Sequence, residues 1–284
     1  MTLKLIALVD GSTYSASVCD HAAWIAGRTG AAVELLHVLG RREGVDKQDL
    51  SGAIKLGART ALMEELAELD AQRSRLVAHR GRAILEDAHA ILTRAGVSEI
   101  TTRLRHGDIV ETVAEVEKDA SLILIGKRGE AADFARGHLG SNLERIVRAS
   151  HKPVFVASRA FRPVQKVLVA YDGGTSAMKA IDHIARSALF AGLQVTVATV
   201  GTPSAEVKKG LENAHAMLRA AGLEASTTIV EGQPETALGK LVEAEGFDML
   251  VMGAYGHSRI RSLVIGSTTT EMLRSCKVPV VLVR

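Results

Sequence analysis

The stretch GAYGHSRIRSLVIGST (253–268) follows an apolar run, DMLVMG (248–253), and leads into TTTEMLRSC (268–276), which has helical character. Two residues separate Gly253 from Gly256, and nine separate Gly256 from Gly266-Ser267-Thr268. Glycine at a strand end permits close backbone approach and positive φ. A Gly-Ser pair opening a helix presents unpaired N–H groups and the positive end of a dipole, which suits a phosphate. The same spacing also suits ordinary turns. Ser141 with Glu144, and Thr268 with Glu271, read as capping boxes.

This stretch has a relative within the same chain. GKRGEAADFARGHLGS (126–141) carries Gly126, Gly129, Gly140 and Ser141, but ten residues rather than nine separate Gly129 from Gly140. LEDAHAILTRAG (85–96) matches LENAHAMLRAAG (211–222) at 8 of 12 positions. IALVDG (6–11) parallels LVAYDG (168–173), and GSNLERIVRASHKPVFVAS (140–158) parallels GSTTTEMLRSCKVPVVLVR (266–284). The offset is 162 at the front and 126 at the back, so copy one carries 162 − 126 = 36 extra residues, at about 41–80. The division falls in SRAFRPV, giving domains 1–160 and 161–284.

Each copy alternates short apolar runs with helical stretches. In copy two the runs are 166–171, 194–200, 226–230, 248–253 and 278–283. Continuous apolar strands separated by helices imply an α/β fold: an open five-stranded parallel sheet with helices on both faces. Ligands then bind beyond the C-terminal strand ends, where strand order reverses. Asp172 and Asp10 are carboxylates at such positions. The insert reads as a helix, with Leu62, Leu66, Leu69 and Leu76 on one stripe and Arg73 interrupting it. Two readings stand: a helix packed on its own domain, or a dimerisation hairpin.

Composition excludes several classes. Aromatics are 3% and the net charge is only +3, with Lys and Arg dispersed, so no nucleic-acid footprint is present. No apolar run approaches the ~18 residues that span a bilayer. Cys19 and Cys276 are far apart and form no CxxC, which argues against a zinc ribbon or disulfide framework. A cytoplasmic protein with no membrane partner is expected. The motifs GxxxxGK[ST], GxGxxG, HExxH and GxSxG are absent. Cys19-Asp20-His21 contains metal-type side chains, but three consecutive helical residues diverge, so no metal site is expected. His89 and His215, at matched positions, read as structural.

The pattern G-x2-G-x9-G-[ST] after an apolar strand, with Asp at the end of strand one and a final PVVLV strand, resembles the universal stress protein family. The match covers both halves. The resemblance implies two tandem Rossmann-like domains of the adenine nucleotide alpha hydrolase-like type, paired through their last strands as an intramolecular pseudo-dimer. It also implies ATP, with Mg²⁺ bridging the phosphates, in the C-terminal domain and a role in stress response or signalling.

By motif position the nucleotide site comprises Ala170, Tyr171, Asp172, Val200, Met252, Gly253, Tyr255, Gly256, His257, Gly266, Ser267 and Thr268. Copy one offers a degenerate site of Asp10, Val38, Gly126, Gly129, Gly140 and Ser141. There Glu130 and Asp133 bring negative charge that Lys127 and Arg128 offset, and Phe134 and His138 alter the pocket shape. Arg259 and Arg261 are placed to screen phosphate charge. Nothing activates a water or clamps a γ-phosphate, so hydrolysis is expected to be slow or absent. The alternatives are a nucleotide-independent interaction scaffold and a slow ATPase. Protein partners are unknown, and a homodimer is a further expectation.

Overall fold

The computed structural model describes residues 3–40, 56–129, 140–254 and 266–284, with the side chains of the long second helix described from residue 62. The first half runs β1 (Lys4–Leu8), α1 (Thr13–Thr29), β2 (Ala32–Leu39), α2 (Leu56–Arg94), β3 (Ile100–His106), α3 (Ile109–Val116), β4 (Leu122–Gly126), α4 (Ser141–Ala149) and β5 (Val154–Ala157). The second half repeats the order: β6 (Lys166–Ala170), α5 (Thr175–Arg186), β7 (Gln194–Val200), α6 (Ala205–Ala220), β8 (Glu224–Val230), α7 (Pro234–Glu245), β9 (Met249–Gly253), α8 (Ser267–Ser275) and β10 (Val280–Val283).

The strands form one ten-stranded sheet in the order β3-β2-β1-β4-β5-β10-β9-β6-β7-β8. Within each half every pairing is parallel. The halves meet through β5 and β10, which run antiparallel with Val280 opposite Val156 and Leu282 opposite Val154. The expected five-stranded units and their pairing through the last strands are therefore present. Pro153 and Pro279 cannot donate. Their carbonyls still accept from Ile123 and Leu250, so each proline sits where only an acceptor is needed.

Helices cover both faces, which is why the central strands are apolar without alternation. Val154, Phe155, Val156 and Ala157 of β5 are all buried. Phe155 faces one layer with Ile25 and Val281, while Ile146 and Leu282 lie in the other. Each layer thus contains residues from both halves, so the seam is core rather than a surface contact.

Helix α2 departs from the repeat. It spans 39 residues, about 58 Å, whereas its counterpart α6 has 16. The β2 and β3 strands it crosses are seven or eight residues long, about 25 Å, so they support only part of it. Gly81 packs closely on the sheet: a Cβ there would lie 2.8 Å from Leu104 and 3.0 Å from the His37 ring. Beyond it, Leu85, Ala88 and Leu92 are buried at helical spacing. Before it, Met63, Leu69 and Leu76 are 48%, 54% and 71% exposed. Met63, Leu69 and Leu76 are thus not covered by their own domain, while Leu62 and Leu66 of the same stretch are half-buried. The part of the insert at 41–55 lies outside the described residues.

Candidate functional site

In each half the chain leaves its first strand toward one side and returns on the other. β6 lies between β7 and β9, and β1 lies between β2 and β4. The C-terminal ends of these strands are the switch points where such sheets bind ligands. Ala170, the last residue of β6, is in register with Ala198 of β7 and Met252 of β9. Ala170, Val200 and Met252 belong to one sheet face. Tyr171 belongs to the other: its ring is buried, and a Cβ on Gly210 of α6 would lie 2.2 Å from its hydroxyl. What Tyr171 offers the rim is backbone, held by its N–H to Ala198 and by Thr199 Oγ1 on its carbonyl.

Asp172 follows directly and is exposed. Its Oδ1 accepts the Gly174 N–H at 2.8 Å, fixing the carboxylate at the turn into α5. Gly173 has φ +80, a conformation that costs other residues strain.

Gly253 and Gly266 differ in why they are glycine. A Cβ on Gly253 would stand 2.8 Å from Ser176 Cβ and 3.1 Å from the Ala177 nitrogen. Gly253 therefore lets the first turn of α5 sit on the end of β9. Gly126 does the same in the first half, 2.6 Å from Tyr14 Cβ of α1. Gly266 has φ −55, open to any residue, and among the described residues a Cβ there would meet nothing nearer than Thr269 Oγ1 at 3.9 Å.

Gly266 is also the N-cap of α8, and no side chain caps it. Gly140 starts α4 in the same way. The two capping boxes expected from sequence are therefore absent. Ser141 and Ser267 are the first helical residues, so neither stands at the cap position, and Glu271 pairs with Arg274 instead. Thr268 lies within the first turn of α8 and is half-buried. Tyr255, Gly256 and His257, like Arg259 and Arg261, lie outside the described residues.

In the first half the described rim residues contact one another. Asp10 Oδ1 accepts from Ser12 N at 3.0 Å and Ser15 Oγ at 3.1 Å. Gly129 lies against its other oxygen, where a Cβ would come within 2.8 Å of Oδ2. Gly140 N donates to Lys127 O at 3.4 Å, and a Cβ on Gly140 would sit 3.6 Å from Arg128 Cα and from Gly129 N. Loop backbone thus touches Gly140, while Ser141 stays exposed. Val38, near the end of β2, is half-buried.

Lys127 does not offset loop charge as expected. It is 8% exposed, and its Nζ donates to the Cys276 carbonyl in the other half. Burial pushes its ammonium down to about 8; the Cys276 side chain opposes this and Arg128 adds to it. The sequence carried one sign of this role: Lys127 follows an apolar strand exactly where copy two has Ala254. Glu130, Asp133, Phe134 and His138 lie outside the described residues.

The cysteines and the two matched histidines make contacts within their own fold. Both cysteines are buried thiols, and burial pushes Cys19 up to about 12. His215 Nε2 contacts the Ala225 carbonyl at 3.0 Å, and His89 lies against Thr93 of its own helix. Among the described residues no three His, Cys, Asp or Glu cluster as metal ligands. No described helix is long and apolar enough to cross a membrane.

Comparison with known proteins agrees with this geometry. The universal stress protein family model matches twice, over residues 1–158 and 163–284. A universal stress protein of Synechocystis, Slr1230, is 35% identical over 285 residues, covering 99% of each chain. The crystal structure of a universal stress protein from Archaeoglobus fulgidus superposes with a TM-score of 0.73 at 20% identity, covering 99% of this chain and 96% of that one. A universal stress protein solved in complex with cAMP aligns with 43% of this chain and 98% of its own, at 30% identity and a TM-score of 0.38. With two matched segments that together span nearly all of its length, the chain belongs to the universal stress protein family.

Proposed function

We propose that this protein binds one ATP per chain at the rim of its second domain, and that occupancy rather than turnover is its output in stress response. The domains are best divided at 160/161, and the cytoplasm is the expected setting. The observation that carries the reading is the start of α8. It has no side-chain cap, and Gly266 has neither a backbone angle nor a described neighbour that requires glycine. Uncapped N–H groups at a dipole's positive end fit a phosphate, and a missing side chain lets it approach.

Asp172 stands at the same rim, exposed and oriented by Gly174, and fits a donor edge of the base or ribose. Ala170, Val200 and Met252 supply an apolar floor. Mg²⁺ would accompany the phosphates. In domain one, the added loop residue and the close approach of Gly129 to Asp10 favour a non-binding rim.

Titration of nucleotide-stripped protein with Mg-ATP tests the reading by stoichiometry. One site per chain, lost in Gly266→Asp, is expected. Two sites would overturn the account of domain one. No binding would favour the alternative of a nucleotide-independent scaffold. Hydrolysis no faster than in the Gly266→Asp protein is expected; faster turnover would make it an ATPase.

A further inference from the structure

We infer that the projecting part of α2 is a dimerisation element, and that its partner is the same helix of a second copy lying antiparallel. From Leu62 the positions 62, 66, 69, 73 and 76 alternate steps of four and three residues, the spacing of a coiled-coil seam. Leu69 and Leu76 on this seam are 54% and 71% exposed, and Met63 beside it is 48% exposed. Large apolar side chains repeated on one exposed face mark an association surface. Every residue from 67 to 76 is exposed, so this stretch of the helix is not covered by its own domain.

Charge selects the occupant. Residues 62–70 contain four acidic and no basic side chains, and residues 71–82 contain four arginines and no acidic side chain. Two copies in parallel would set like charges against like and Arg73 against Arg73. Two copies in antiparallel set the acidic half of each against the basic half of the other. With the crossing centred near residue 71, Leu69 of one copy faces Arg73 of the other and Leu66 faces Leu76. Each Arg73 then lies within reach of Asp70 on the opposite helix. A charged residue at a single seam position fixes register and orientation at some cost in stability, which is the role assigned to Arg73.

The test is sedimentation of the full-length protein at ~50 µM together with its double variant Leu69→Glu/Leu76→Glu. Both substituted side chains are exposed, so the variant should keep its helical signal. Wild type is expected to be a dimer and the variant a monomer, with a dissociation constant raised at least 10-fold. A monomeric wild type would overturn the inference, and so would a dimer indifferent to the two substitutions. Orientation is read by spin labels at Glu64→Cys, the native cysteines both being buried. Antiparallel helices place the two labels about 20 Å apart along the axis from the 1.5 Å rise. Labels about 10 Å apart, the spacing of parallel helices side by side, would refute the antiparallel arrangement. Neither readout depends on nucleotide, so this inference and the ATP reading fail separately.

Discussion

The Lys127 side chain of one half donates to the Cys276 carbonyl of the other, at the C-terminal end of α8. A second link runs the opposite way: Arg284 Nη1 donates to the carbonyls of Arg148 and Ser150 at the end of α4, each at 3.3 Å. Each Gly-started helix is thus held at its C-terminus by a cation from the other half, where positive charge suits the helix dipole.

Lys127 should give the protein an alkaline stability slope. Its folded pKa, about 8, lies below the ordinary 10.5, so between these values the unfolded chain binds more protons than the folded one. Stability should therefore rise with pH across that window, by an amount on the order of 3 kcal/mol from the size of the shift. Denaturant unfolding of wild type and Lys127→Met at pH 7.5 and 10.5 measures it. Parallel pH profiles for the two proteins would show that the lysine is not buried as described.

Gly253 and Gly266 should separate folding from binding. Gly253→Ala pushes a methyl into the first turn of α5 and should destabilise by about 1–3 kcal/mol. Gly266→Ala should change stability by less than about 0.5 kcal/mol and weaken Mg-ATP at least 10-fold. Thermal unfolding and titration of both variants decide it. Intact ATP affinity in Gly266→Ala would mean that the residue does not face the phosphates.

The two aspartates should divide in the same way. Asp172→Ala is expected to weaken ATP by about 1.5–3 kcal/mol, the worth of a hydrogen bond to a charged group. Asp10→Ala should leave ATP affinity unchanged and lower stability by about 1 kcal/mol, through loss of the Ser12 and Ser15 bonds at the start of α1. Loss of ATP binding in Asp10→Ala would place the nucleotide in the first domain.

His21 should make the fold acid-sensitive. Burial pushes it down to about 4, only partly opposed by its bond to the Ser17 carbonyl. It packs against Phe155 and Phe161, and its Nε2 has no partner among the described residues. Protons therefore bind the unfolded chain preferentially between pH 6.5 and about 4. The stability present above pH 6.5 should fall through that window by roughly 3 kcal/mol from the size of the shift. Burial lowers His183 in the same sense. His21→Leu should flatten the loss, read from unfolding midpoints at pH 7 and 4.5; an unchanged acid slope would assign it to other groups.

The sequence by itself determined the tandem repeat and the order of strands and helices; the pairing of the two final strands was implied only by the family resemblance. The repeat and the element order are written in the local pattern: continuous apolar runs, helical spacing, and glycine or proline at their ends. It also placed Asp172 and Gly266 in one motif, although it could not say why each glycine was there. Tertiary structure decided what depends on a neighbour distant in sequence. S-x-x-E reads as a capping box at Ser141, yet Gly140 is the N-cap because the loop enters the helix one residue earlier. Lys127 reads as loop charge, yet it is buried because the second half lies over it. Gly253 reads as a glycine that permits close approach, and only the fold shows that α5 is one element that approaches it. The stripe on α2 was visible as a pattern, but its exposure follows from geometry: a helix of about 58 Å outruns strands of about 25 Å.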